Sequence, residues 1–458
     1  MTNTLYLPEL REMLAENNTA ELKEFCTALH PARTAEFMEG LTAEETWQVL
    51  LNADLNTRVE IFEYVAREKQ IEIISTADRS QVAELLTAMP TDECVDLLNH
   101  VDPALVSELL RLIPTAQRRD ILRLREFDED TAGALMTTEF ARIHETATAR
   151  EALDAVVKQA EKLETIYYVY VVDDEDHLRG IVSARQLLSA MGKGNVTVGD
   201  LMERDVVSVE VDDDRETVGH RFADFDLLAL PVVDHEHRML GIITHDDALD
   251  AIREAATEDA HRQGGMNPLE MGYLEEALAR LAWKRGIWLM IFFFGALITA
   301  FALRGHEDTL ATVAWLVFFI PLVNSSGGNS GNQSATLVIT ALRTGDITIT
   351  DWLRVVRREL VMGLMLGSIL GMIGFLVALA MTPSIQGAAV LGITLLIVVM
   401  CGAVTGSMLP LLFHRLGLDP AMMSNPFVAC LSDLMSVLIY MQIALWLLPE
   451  ASLGGGTP

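Results

Sequence analysis

The stretch from Pro321 to Asp346, PLVNSSGGNSGNQSATLVITALRTGD, constrains this chain more than any other, because it sets glycines and amides between two apolar runs, ATVAWLVFFI and TLVITAL. The flanking runs put its polar groups at or near membrane depth, where lipid supplies no hydrogen bonds. Such groups are tolerated there only against protein or along a water-filled path. On a helix, Gly327, Gly331 and Ala335 share one stripe, a small-residue seam that lets two backbones approach closely. Gly328, Asn332 and Thr336 form the adjacent stripe, with Asn329 one turn before Asn332. One side of this helix is therefore predicted to pack and its neighbour to offer oxygens. The competing reading is a packing motif alone, with amides bonded to neighbouring helices.

Five apolar segments, at about 286–303, 310–342, 355–381, 387–413 and 425–448, approach or exceed the roughly 20 residues that cross a bilayer core. Lys284 and Arg285, then Arg343, Arg354, Arg357 and Arg358, then Arg415 fall at alternate ends of these segments. That bias predicts a cytoplasmic N-terminus and an external C-terminus. Gly363, Gly367 and Gly371 in the third segment, and Gly402 and Gly406 in the fourth, provide further close-packing seams.

Asp433 is the most informative single residue. It lies about 12 Å into the fifth segment at 1.5 Å per residue, after an Asn425-Pro426 start suited to a helix N-terminus. A lone carboxylate there costs about 2.5 to 3.5 kcal/mol on insertion scales, and no base within the segments is an obvious partner. The simplest resolution is a bundle interior that carries a cation or a proton, with Ala429 and Asn425 on the same face. A protonated Asp433 bonded to a neighbouring helix is the alternative. Glu359 and Asp419, near the cytoplasmic ends, are read as solvated.

The charge is distributed unevenly. After Leu281 eight acids balance eight bases, so the whole net charge of -31 resides in residues 1–280, which hold 57 acids and 26 bases. That excess repels nucleic acid and anionic lipid, and concentrates cations. Cys26, Cys94, Cys401 and Cys430 show no paired spacing, which argues against a disulfide framework or a zinc cluster. The N-terminal MTNTLYLPELREML has no apolar core, so the acidic portion is expected in the cytoplasm.

Residues 1–132 read as short helices separated at Pro31, Pro90, Pro103 and Pro114, a small superhelix. Asp92 and Asp96, four apart on one of them, could share a cation or be solvated separately. A repeat of about 65 residues follows. GALMTTEFARIHETATAREALDAV matches GDLMERDVVSVEVDDDRETVGHRF, and YYVYVVDDEDHLRGIVSARQLL matches LLALPVVDHEHRMLGIITHDDAL. Each copy has a Met-containing lead, a helix, a strand ending in Val-Val-Asp, a turn, a second strand and another helix. The next segment, 246–283, carries acids at three- and four-residue intervals, and so repels itself unless cations bind.

The repeat resembles a tandem pair of cystathionine-β-synthase (CBS) domains, which implies dimerisation and small-ligand sensing. In such pairs a Ser/Thr-x-x-Asp step holds an adenosine ribose. The second copy keeps it as Thr244 to Asp247, whereas the first has Ser183 to Gln186. The whole chain resembles the MgtE family of magnesium channels, on GGNSGNQSATL, LGLDPAMMSNPFVACLSD, ETIYYVYVVD and ATEDAH. The resemblance implies a multidomain membrane protein: an all-α superhelical domain over 1–132, an α/β CBS pair over 133–256, an amphipathic connecting or plug helix within 246–283, and five transmembrane helices within 284–458. It implies a homodimer in a bacterial inner membrane whose second and fifth spans line one pore. Mg²⁺ would be held there by Asp433 and, through its water shell, by groups around Gly328, Asn329, Asn332, Asn425 and Ala429. Regulatory Mg²⁺ that closes the pore would engage Asp92, Asp96, Glu216, Asp226, Asp247, Asp250, Glu258, Asp259 and Asp419, with ATP as a modulator at Thr244 and Asp247. The family pattern has an acid at 255; here Ala255 stands beside Glu254.

Two rival functions are a divalent-cation transporter coupled to Na⁺ or H⁺, and a membrane-anchored CBS sensor. An anchor would not need Asn329, Asn332 or Asp433. An enzyme has no support, since no nucleophile-base pair, P-loop or His-rich metal site is present in the sequence.

Overall fold

The computed structural model of the chain describes residues 5–448 apart from 129, 161–162, 192–195, 270–271, 275, 383 and 421–424. The chain divides into two compact units, 1–253 and 254–458, and the division falls inside one helix, His245–Gln263.

The first unit opens with short helices, from Leu7–Ala15 to Thr115–Leu124. The prolines that break the pattern also start helices. Pro31 and Pro103 open Pro31–Phe37 and Pro103–Leu109, while Pro90 and Pro114 stand just before Thr91–Asn99 and Thr115–Leu124. A residue without an N–H and with its φ already set belongs there. Asp54, Asp78 and Asp102 accept from the first-turn N–H groups of Thr57, Ser80 and Ala104, satisfying donors that a helix start leaves orphaned. The inner faces meet in a core with Trp47, Phe62, Ile73, Leu85 and Leu97.

The repeat folds as two matching three-stranded sheets. In the first, Phe140–His144 pairs parallel with Thr165–Val172, which pairs antiparallel with Leu178–Ser183. In the second, Val209–Glu210, Ala229–Val233 and Met239–Thr244 repeat that order. The Met-containing leads are exchanged between the copies. Met202, ahead of the second sheet, covers Gly180 of the first, where an added Cβ would lie 2.8 Å from its Sδ. Met136, ahead of the first sheet, covers Gly241 of the second at the same 2.8 Å. The repeated Met and Gly are thus the two halves of one reciprocal contact.

Among the described residues the second unit holds five long helices: Leu278–Arg304, Leu316–Arg343, Trp352–Met381, Ile385–Arg415 and Asn425–Leu447. The helices of the first, third, fourth and fifth segments are long and apolar enough to cross a membrane. The second, at 28 residues, spans about 42 Å but is diluted by the polar run NSSGGNSGNQS. Its predicted segment is divided, with Glu307–Thr312 a separate short helix.

The small-residue seams meet as the spacing predicts. Gly363, Gly367 and Gly371 lie against the fourth long helix, where added Cβ atoms would come 2.8 Å from Met400 Cα, 2.7 Å from the Leu396 carbonyl and 2.6 Å from the Gly392 carbonyl. Gly402 likewise sits against the second helix, where an added Cβ would come 2.5 Å from the Gly327 carbonyl oxygen. Backbone-to-backbone approach of this kind excludes any side chain.

Candidate functional site in the membrane helices and the acidic clusters

The second and fifth long helices run antiparallel, and a ladder of contacts fixes their register. Tyr440 donates its hydroxyl to the Leu316 carbonyl at 3.2 Å. Gly327 faces Ser436, Gly331 faces Val428 and Ser432, and Thr336 donates to the Asn425 carboxamide oxygen at 3.3 Å. Between these rungs Gly328 faces Ala429 and Asp433: a Cβ built there would sit 3.7 Å from Ala429 and 4.0 Å from a carboxylate oxygen of Asp433. The two glycine stripes therefore differ. At 327 and 331 a methyl would strike Ser436 at 2.5 Å or Val428 at 2.9 Å, whereas at 328 it would fit. Gly328 leaves bare backbone beside the carboxylate.

Ser325, Asn329 and Gln333 lie on the adjoining face, exposed along the middle of the same helix. Asn329 donates to the Ser325 hydroxyl at 3.3 Å. Asn332 has its carboxamide oxygen shielded and without a hydrogen-bond partner among the described residues. Asp433 has no ion pair or hydrogen bond among them. Six residues expected around the pore, at 328, 329, 332, 425, 429 and 433, thus fall on the facing or adjoining surfaces of two helices. The set is rich in oxygens that accept hydrogen bonds, which suits the donating waters of a hydrated cation.

Two expectations for acids near the helix ends are corrected. Glu359 is not simply solvated, because Ser334 donates to it at 2.6 Å. Asp419 is not solvated either. It accepts from Arg262 at 2.5 Å and from Arg343 at 3.2 Å, one arginine on each oxygen. Arg262 also reaches Glu258 at 3.2 Å, and Arg343 also pairs with Asp259. The self-repulsion expected in the acidic connecting segment is therefore relieved at this end by two guanidiniums.

In the first unit a second acidic cluster has a different composition. Burial and the neighbouring carboxylates push Glu63, Glu93 and Glu164 up to about 7 and Asp247 up to about 6. Asp92 is raised well above the usual carboxylate range by burial, then by Asp247, Glu164 and Glu93, and one of its oxygens is shielded and unpartnered among the described residues. Asp92 and Asp96 part company, since Asp96 points outward to Arg67 and His100. Asp250 adds to the field on Glu93 and Asp247 and pairs with Arg253 at 3.4 Å. Glu216 and Asp226 are exposed, Asp226 in a left-handed turn with φ +50°. Thr244 donates to Asp247, as Ser183 donates to Gln186 at 2.8 Å, so the step expected to hold a ribose also caps a helix in both copies. Among the described residues no group of three His, Cys, Asp or Glu is close enough to hold a metal ion as they stand.

Comparison with known proteins follows the same division. Residues 29–130 match the MgtE intracellular N domain, 132–193 and 198–254 match CBS domains, and 320–443 match the MgtE family described as divalent cation transporters. A magnesium transporter MgtE of Thermus thermophilus is 40% identical over 334 residues, 72% of this chain and 73% of that protein. The chain belongs to the MgtE family.

A second MgtE, from Enterococcus faecalis, is 35% identical over 71% of each chain. The crystal structure of the soluble part of a magnesium transporter matches with a TM-score of 0.51 and 34% identity, covering 54% of this chain and 97% of that one. The cytosolic domain of the Mg²⁺ channel MgtE in complex with ATP matches with a TM-score of 0.50 and 35% identity, covering 53% and 98%. The MgtE family is one of transporters, so this chain is a transporter rather than an enzyme, with soluble N-terminal and CBS domains joined to membrane helices.

Sequence reasoning missed Glu63, Glu93 and Glu164 as cluster members, and Arg262 and Arg343 as their counterparts elsewhere. Glu93 had a signal, being the neighbour of Asp92 in the first turn of Thr91–Asn99. Glu164 begins the ETIYYVYVVD motif. Residues 421–424 of the other quoted motif lie outside the described residues.

Proposed function

We propose that the chain conducts Mg²⁺ into the cytoplasm of a bacterium, as a homodimer whose second and fifth long helices line one central pore. The observation that carries this reading is Asp433: a carboxylate at membrane depth, beside the bare backbone of Gly328, with no cationic side chain among the described residues to neutralise it. Paired across a twofold axis, two such carboxylates attract a divalent ion, while Asn332, Asn329 and Asn425 accept from its waters. Mg²⁺ holds its six oxygens at about 2.0 to 2.1 Å and dehydrates reluctantly, so recognition through the water shell avoids the cost of stripping it. In this reading the second helix is the fifth membrane span, its polar face tolerated because it lines water. The charge bias then places both soluble domains in the cytoplasm and the C-terminus outside.

Closure uses the cytoplasmic acids. The crowded set at Asp92, Glu93, Glu164 and Asp247 repels itself when ionised, and Mg²⁺ bridging it selects a compact state by differential affinity. Asp250, Glu216 and Asp226 supply further carboxylates. His245–Gln263 acts as the plug. An adenine nucleotide at Thr244 and Asp247 modulates this, a reading supported by the ATP complex of the similar cytosolic domain.

Flux measurement in liposomes tests the channel reading. Mg²⁺ entry down its own gradient, with Na⁺ and pH equal on both sides, is expected; entry only with a Na⁺ or H⁺ gradient would favour a coupled transporter. No flux at all would favour an anchored sensor.

A further inference from the structure

Arg343 lies in the last turn of the second long helix, and Asp419 lies between the fourth and fifth. Glu258, Asp259 and Arg262 belong to the final turns of His245–Gln263. One alternating chain of charge joins all three regions: Glu258 to Arg262, Arg262 to Asp419, Asp419 to Arg343, and Arg343 to Asp259. A guanidinium presents five donors in a planar fork and so can bridge two carboxylates, which each arginine does here. Two guanidiniums supply the same charge as one divalent ion. The Arg343 end of this chain of charge is also sheltered, with side-chain exposures of 20% for Arg343, 12% for Asp259 and 24% for Asp419, so salt screens its two pairs less than a surface pair.

We propose that Arg262 and Arg343 are positioning residues for transport. Acting as tethered cations, they gather Glu258, Asp259 and Asp419 and seat the end of the connecting helix against the end of the second helix and the segment that follows the fourth without a metal ion. This rests on the pore and plug reading above. It assigns these three acids to arginine rather than to Mg²⁺. Both oxygens of Asp419 are already engaged, and an ion demanding oxygens at about 2.0 to 2.1 Å would have to expel a guanidinium to reach them. The closing ion then acts elsewhere, at the cluster around Asp92 and Asp247, while the arginines hold the seat to which closure returns.

The test uses the full-length protein in inside-out membrane patches, with Mg²⁺ varied on the cytoplasmic face. R343Q removes the bridge between Asp259 and Asp419, so the half-closing Mg²⁺ concentration should rise about fivefold, as for the loss of one partly sheltered pair. R343K, which keeps the charge but not the fork, should fall between R343Q and the parent. R262Q should move the same way by less. An unchanged half-closing concentration in R343Q overturns the proposal. A lowered one also overturns it, because it means that the arginine had been competing with Mg²⁺ for those acids. Should R343Q fail to elute from size exclusion as the parent does, R343K and R262Q carry the test with the same sign. D433N separates the two levels: current that survives D433N refutes the pore reading itself, whereas current lost in D433N with gating unmoved in R343Q refutes the arginine assignment alone.

Discussion

In the first unit Glu63, Asp92, Glu93, Glu164 and Asp247 crowd together, and burial with mutual repulsion outweighs the pull of Arg67 on Glu93. In the second unit Glu258, Asp259 and Asp419 are threaded onto Arg262 and Arg343. Both groups come from acid-rich sequence, and before their partners are known they look equally suited to bind a cation. Their environments separate them. Carboxylates that already hold guanidiniums gain little from an ion, whereas carboxylates pushed towards neutrality by one another gain charge compensation and hydrogen-bonding partners at once. Acid content alone therefore does not tell the two groups apart; the partners of each carboxylate do.

The largest expected effect comes from removing carboxylates from the first group. Asp92→Asn combined with Asp247→Asn should raise the half-closing Mg²⁺ concentration in patch recordings by about tenfold or more, since two carboxylates of the cluster proposed to bind Mg²⁺ are lost together. Retention of the parent value would erase the contrast between the clusters.

Protons should compete with Mg²⁺ at the same cluster. Burial and neighbouring carboxylates lift Glu63, Glu93 and Glu164 to about 7 and Asp247 to about 6 in the folded chain, and Asp92 in the same direction, above the roughly 4 of an unfolded carboxyl. A raised acid pKa means that the folded state binds more protons between those limits, so stability falls as pH climbs through that window and levels off above it. Without divalent ions, the thermal midpoint of the soluble N-terminal and CBS domains within the full chain should fall between pH 5 and pH 8. Added Mg²⁺ should recover it at pH 8 and do little at pH 5. A midpoint that rises over this window would contradict the assignment.

Asp259→Asn probes the other cluster. Arg343 keeps Asp419 as a partner, so the half-closing concentration should rise only about two- to threefold. The smallest effect belongs to Asp96, an outward acid paired with Arg67. Asp96→Asn should change stability by less than about 1 kcal/mol in denaturant unfolding and leave gating untouched; a gating change as large as that of Asp92 would return it to the site.

Local spacing made the facing surfaces of the second and fifth long helices legible as a candidate site. Gly327, Gly331 and Ala335 repeat at a helical step within an apolar surround, and an isolated Asp433 in a run of Val, Leu and Ile has few physical explanations. The repeated Met and Gly of the CBS copies were legible as a repeat, though not as the exchanged contact between Met136 and Gly241. The ionic partners were hidden because they join distant positions: Arg262 and Asp419 are 157 residues apart, and Arg343 and Asp419 are 76 apart. Arg343 reads in sequence only as an orienting charge at a helix end. The shift on Glu63 was equally hidden, since nothing local to it signals burial beside Glu93 and Glu164.

The central claim, an ion path past Asp433, is tested most directly by Mg²⁺ entry into liposomes containing the full-length protein or its Asp433→Asn variant, with Na⁺ and pH matched across the membrane. The account predicts rapid entry through the parent and none above protein-free liposomes through the variant, with both eluting alike on size exclusion. Equal entry through the two would contradict it.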